Sequence, residues 1–130
     1  MAYLPGMKLV RIYQCLCDET RLRILNLLSR RPLCVCHLQE VLGRSQAQVS
    51  QHLSRMKQDG LVEASRHHNW MIYSLPEKTP RTLKAHLKCL QDCVQNEAVF
   101  QKDLSALRKI RSDCNWIDGV LETSASGCCR

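Results

Sequence analysis

Two apolar runs at helical spacing, parted only by Gly43-Arg44-Ser45, constrain this chain more than any other feature. In the first, Val35, Leu38, Val41 and Leu42 recur on one helix face until Gly43, a residue suited to the left-handed turn that closes a helix. In the second, Val49, Leu53 and Met56 fall at i, i+4 and i+7 behind Ser45, whose hydroxyl suits an N-cap, and Asp59-Gly60 ends the run. Two short helices joined by so tight a turn form a helix-turn-helix. The outer face of the second carries Gln46, Gln48, Ser50, Gln51, Ser54 and Arg55. That face is uncharged polar, whereas a merely solvated face tends to be rich in Glu and Lys.

The flanking segments fit around this unit. Residues 7–18 predict a first helix with Leu9, Ile12, Tyr13 and Leu16 as its apolar stripe, and residues 20–29 a second, strongly apolar helix capped from 18–20. Arg30-Arg31-Pro32 ends that helix, and Pro32 fits the first turn of the next. After Gly60, residues 61–66 and 70–75 flank the polar tip His67-His68-Asn69 and predict a β-hairpin, placed where a wing would lie. Residues 76–80 read as a linker. Residues 82–113 predict one long helix with two stripes, Leu83, Leu87, Leu90, Val94 and then Phe100, Leu104, Leu107, Ile110. So much apolar surface exceeds what a small domain covers alone, which predicts a homodimer. The expected fold class is mainly α (α+β). It is a winged helix-turn-helix with N- and C-terminal dimerisation helices over residues 1–113, followed by a flexible, Cys-containing tail over 114–130.

Nineteen Lys and Arg against twelve Asp and Glu leave a net charge of +7, which suits a polyanionic partner. A single Phe, Phe100, argues against a single-strand binder that stacks bases on aromatic platforms. Gln pairs with adenine edges and Arg with guanine, so Gln46, Gln48, Ser50, Gln51 and Arg55 are the expected readers of double-stranded operator DNA, with Ser45 beside them at the helix start. Arg44, Lys57 and Arg66 would hold phosphates. The start of the chain lacks a signal-peptide pattern and no uncharged apolar stretch approaches a bilayer span, so a cytoplasmic protein with no membrane partner is expected. In a reducing compartment nine cysteines read as thiols, and soft-metal or redox chemistry becomes the leading idea.

Cys34 and Cys36 lie just after Pro32, where a helix N-terminus would favour their thiolates. Thiolates select soft or borderline ions: As(III), Sb(III), Cd, Pb or Zn. Side chains two apart on a regular helix do not face each other, so closing both on one ion should distort the helix start. A metal-favoured distorted state and a DNA-favoured regular state would then be reciprocally coupled. As the plainer alternative, both cysteines are small apolar fillers. A second candidate site is Cys89 and Cys93, which share a helix face with His86, although cysteines there could equally fill a dimer interface. Cys128 and Cys129 in the tail are accessory candidates, and Cys114 lies near them. His67 and His68 fit phosphate or solvent better than a metal.

Leu16-Cys17-Asp18-Glu19-Thr20-Arg21-Leu22-Arg23-Ile24-Leu25 resembles a signature of the ArsR/SmtB family of metalloregulatory repressors, and Leu33-Cys34-Val35-Cys36-His37-Leu38 is similar to that family's thiolate metal box. Gln46 to Leu53, then Gly60-Leu61-Val62 and Trp70 to Leu75, resemble its recognition helix and wing. The resemblance covers roughly residues 7–113. It implies a dimeric winged helix-turn-helix that represses a resistance operon and leaves DNA on binding metal or metalloid, most like the arsenic repressors. Two positions depart from the pattern. Gln39 stands where a third cysteine is frequent, and His37 where an Asp is usual. The third ligand for As(III) must then come from elsewhere or from solvent. Cys15 and Cys17 are accessory candidates in place of small alanines, and packing explains them as well. Rival readings are a Cd-, Pb- or Zn-responsive or thiol-redox-responsive repressor of the same fold, and a cytosolic metal-buffer protein. An enzyme is not expected, since the chain has neither Cys-x-x-Cys nor a nucleotide loop.

Overall fold

The computed structural model describes residues 8–110. Its order is α1 (Lys8–Leu16), α2 (Glu19–Leu28), β1 (Leu33–Cys34), α3 (Val35–Leu42), α4 (Gln46–Gln58), β2 (Glu63–His67), β3 (Trp70–Ser74), α5 (Arg81–Cys93), a 3-10 turn (Val94–Asn96) and α6 (Ala98–Lys109). The helix-turn-helix is α3 and α4. Gly43 closes α3 in the left-handed conformation, with φ 66°, and donates its N–H to Gln39 O at 2.9 Å. Ser45 and Gln48 form a reciprocal capping box at the start of α4, and Val49, Leu53 and Met56 are its fully buried positions. The helix faces read from periodicity are those the structure shows here.

β2 and β3 form the wing, joined at a tip where His68 takes φ 58°, a role more often given to Gly or Asn. The sheet has three strands in the order β1-β3-β2, all antiparallel. β1 corrects the expectation that Pro32 opens a helix. The two residues after it are extended, Leu33 paired with Tyr73 and Cys34 with Ile72. Pro32 donates no N–H and restricts Arg31 to extended backbone, so it serves a strand entry as readily as a helix start.

The single long helix of 82–113 is also corrected. α5 stops at Cys93, a 3-10 turn follows, and Glu97 is extended (φ −118°, ψ 113°) before α6 begins. The break folds the second stripe back over α2 and α3, burying Phe100, Leu104, Leu107 and Ile110 in the same core as Ile24, Leu25, Leu38 and Leu53. Each such side chain contributes about 1.5–3 kcal/mol on leaving water. That surplus apolar surface was the ground for expecting a dimer through the long helix, and among the described residues the chain covers the stripes itself except for the half-buried Leu90. Among the described residues, the exposed large apolar side chains lie on α1. There Leu9, Val10 and Tyr13 are 50%, 41% and 48% exposed, while Ile12 and Cys15 face the core. Leu9 and Tyr13 therefore do not belong to an inward stripe.

Arginines close the helix ends. Arg21 donates to the Cys15 and Gln14 carbonyls at 3.0 and 3.1 Å, at the end of α1. Arg31 donates to Leu107 O and Ile110 O at 3.3 and 2.9 Å, at the end of α6. Gln14 O also accepts the Cys17 N–H at 3.3 Å and Leu107 O the Ile110 N–H at 3.1 Å, so the guanidinium is a second donor at these ends, and it suits the negative end of the helix dipole. The tail expected over 114–130, with Cys114, Cys128 and Cys129, lies outside the described residues.

Candidate metal centre and nucleic-acid interface

β1 and α3 meet at the thiols. Cys34 is the N-cap of α3, extended at φ −87° and ψ 166°, and Cys36 sits in the first turn. Because only Cys36 is helical, helix spacing does not govern the pair, and the two Sγ atoms stand 3.3 Å apart. This corrects the expectation that bringing them together must distort the helix: they already face each other. Cys34 is buried and Cys36 half-buried.

His37 follows directly, and it is the residue that sequence reasoning passed over. Its side chain is buried at 5% exposure, and among the described residues neither Nδ1 nor Nε2 has a hydrogen-bond partner. The ligating atoms of Cys34, Cys36 and His37 all lie within 4.8 Å of one another. The available signal was its adjacency to two thiols, masked because a lone His is usually structural. Beside the thiols a pocket of about 170 Å³ is lined by Cys34, Val35, Cys36 and Gln39, by Gln46 at the start of α4, and by Asn69 and Met71 of the wing. The thiols therefore share one cavity with both elements expected to read DNA.

The other cysteines are placed elsewhere. Cys15 is in the core, and burial, helped by Asp59 and Asp18 and opposed by Arg21, pushes its thiol up to about 11. Cys17 is exposed at the turn between α1 and α2. Cys89 and Cys93 are exposed neighbours on α5, and the Cys89 sulfur pushes the Cys93 thiol up. With Cys17, His86, Leu16, Leu90 and Phe100 they line a groove of about 600 Å³, where Tyr13 and His86 meet edge to face at 4.9 Å. Their ligating atoms do not form a group of three as close as that at Cys34.

On α4, Gln46, Gln48, Gln51, Arg55 and Lys57 are exposed and Ser50 half-buried, while Arg44 and Arg66 are exposed on the preceding turn and the wing. Ala47, Ser54 and Gln58 share the solvent side with Gln51. Two expected readers have internal partners. Gln48 Oε1 accepts the Ser45 N–H at 3.2 Å, and the exposed Arg55 places its Nε 3.6 Å from Oδ2 of the half-buried Asp59, a long pair of little energetic weight.

With this geometry in hand, the comparisons with known proteins are specific. The family model described as "Bacterial regulatory protein, arsR family" matches residues 18–64, from the cap of α2 into the wing. The chain is 34% identical to the arsenical resistance operon repressor of Escherichia coli, over 66% of this chain and 78% of the relative. The chain belongs to the arsR family. It is also 35% identical to the arsenic resistance transcriptional regulator ArsR1 of Pseudomonas putida, over 65% of this chain and 66% of that protein. Among solved structures it is similar to HlyU from Vibrio cholerae, with a TM-score of 0.61 and 30% identity, covering 70% of this chain and 96% of that one. As an arsR-family member it is a DNA-binding transcription regulator on a winged helix-turn-helix, and its Cys/His cluster suits metal or metalloid sensing. Among the described residues no helix is long and apolar enough to cross a membrane.

Proposed function

We propose that this chain is a cytoplasmic, homodimeric repressor of a metal(loid)-resistance operon, released from double-stranded operator DNA when As(III) or Sb(III) binds Cys34 and Cys36. One observation carries the reading: two sulfurs 3.3 Å apart open on a cavity that Gln46 and Asn69 also line. Thiolates are the ligands such ions select, and the pair needs little rearrangement to present both. Relatives named for arsenic resistance support the choice of ion.

Coupling follows from position. Cys34 is paired to the wing through Ile72, and Cys36 lies in the first turn of the helix that supports α4. A ligand bound there changes the junction from which both DNA-reading elements hang. If it binds the DNA-free arrangement more tightly, DNA affinity falls by the same factor, as linkage requires. Gln46, Ser50, Gln51 and Arg55 would read bases, with Arg44, Lys57 and Arg66 on phosphates. Gln48 and Ser45 would act first through the cap that fixes where α4 begins. The exposed α1 residues Leu9, Val10 and Tyr13 supply an apolar face for the second copy.

Fluorescence anisotropy on the promoter upstream of the protein's own gene tests this at one fixed salt concentration. As(III) should release the wild type under reducing conditions and leave Cys34→Ser/Cys36→Ser bound. Release of that double variant, with Cys89→Ser/Cys93→Ser staying bound, would move sensing to α5.

A further inference from the structure

We infer that His37 is the third protein ligand of this centre, which makes it a Cys2His site able to take a borderline divalent cation, cadmium or zinc. The inference rests on the reading of Cys34 and Cys36 as the sensing thiols and assigns the donor that Gln39 cannot supply as a third thiolate. Its ground is an unmet polar group. An imidazole buried to 5% exposure with both ring nitrogens unpartnered is costly unless something takes a lone pair, and the atoms nearest at hand for shared coordination are two sulfurs.

Distance and donor chemistry agree. Around a tetrahedral ion with metal–sulfur bonds of about 2.3 Å and metal–nitrogen bonds of about 2.0–2.1 Å, neighbouring ligand atoms stand roughly 3.4–3.8 Å apart. Here the sulfurs are 3.3 Å apart and all three ligating atoms lie within 4.8 Å, so closure needs side-chain adjustment of an ångström or so. Two thiolates and a neutral imidazole are a familiar donor set for zinc and its softer congener cadmium. Three protein ligands leave one coordination position, and the cavity lined by Gln39, Gln46 and Asn69 gives it room for a water. As(III) has little use for the nitrogen. The two classes of ion would then share the sulfurs and differ in their need for His37.

The test uses the full chain carrying Cys17→Ser, Cys89→Ser, Cys93→Ser, Cys114→Ser, Cys128→Ser and Cys129→Ser, so that these thiols do not compete. Cd(II) is titrated by its ultraviolet thiolate charge-transfer band against a competing chelator, and As(III) by loss of titratable thiol, with His37 present and with His37→Gln or His37→Ala. The expected result is a fall in Cd(II) affinity of at least roughly 100-fold, the upper end of what losing a mere outer-shell partner costs, with As(III) uptake unchanged. An unchanged far-ultraviolet circular dichroism spectrum and thermal midpoint show that the variants have kept the fold. Cadmium NMR of the unsubstituted His37 protein with nitrogen-labelled histidine should show scalar coupling to one imidazole, a readout needing no variant at position 37. Cd(II) affinity in both His37 variants equal to that of the His37 protein, or no nitrogen coupling, overturns the inference. If instead Cys34→Ser/Cys36→Ser is still released from DNA by As(III), the sensing reading fails, while the Cd(II) comparison still decides whether His37 is a ligand.

Discussion

The guanidinium of Arg23 forks onto the carboxylate of Asp103, Nε to Oδ2 and Nη2 to Oδ1, both at 2.8 Å, between residues 80 positions apart in the chain. Asp103 is 2% exposed, and a longer Arg23 contact to Leu42 O at 3.4 Å ties in the end of α3. Breaking such a pair by removing one partner leaves a buried charge without compensation. Asp103→Ala should cost about 3–5 kcal/mol in urea unfolding. Arg23→Met/Asp103→Leu should recover much of that loss, because both charges are then gone. A double variant no more stable than Asp103→Ala would show that the pair's neighbours, and not the stranded charge, carry the cost.

Asp18 caps α2 by accepting the Arg21 N–H at 3.0 Å. Burial works to raise its carboxyl, but the Arg21 and Thr20 amides and the charges of His52 and Arg21 outweigh it, so the group titrates below the usual carboxylate range. A depressed carboxyl contributes stability that is present above the unfolded-state value, near 3.9, and lost as pH falls through the folded one. Asp18→Ala should therefore cost about 1 kcal/mol near neutrality. The gap from wild type should close as unfolding is followed to pH 3 and below.

Cys15 gives the opposite sign. With its thiol pushed from 9.0 to about 11, it contributes stability that is fully present below pH 9 and lost as pH rises toward 11. At pH 8 only roughly one Cys15 in a thousand is thiolate. Mass-spectrometric mapping of iodoacetamide labelling in the folded protein should find Cys17 modified and Cys15 spared. Prompt labelling of Cys15 would contradict its place in the core.

If α4 reads bases, Gln51 and Lys57 should fail in different ways. Gln51→Ala should cost about 1–3 kcal/mol on the preferred operator and relax the choice at one base pair. Lys57→Ala should weaken binding to all sequences alike and lower the salt slope by about one, the effect of giving up a single phosphate. Anisotropy across an operator library and a salt series separates the two.

The α1 face should hold the dimer. Tyr13→Asp, at a position 48% exposed within one chain, should leave the helical signal intact and shift sedimentation toward monomer. An unchanged dimer would place the interface elsewhere.

Much of this protein is determined locally and was legible from the sequence. The stripe Val49-Leu53-Met56, the Ser45 cap, the Gly43 turn and the wing all rest on residues a few positions apart, where helical or strand spacing and cap chemistry leave few choices. The readings that failed depended on partners far away. Strand β1 exists because β3, some forty positions on, offers an edge to pair with, and pairing sets Cys34 outside the helix and its sulfur 3.3 Å from that of Cys36. The break after Cys93 exists because α2 and α3 can bury the second stripe and because Arg23 has a carboxylate to meet, neither of which periodicity along residues 82–113 records. Sequence spacing determined which residues could share a face. Only the tertiary structure decided which of them touch, because burial and pairing depend on elements that spacing along one helix does not contain.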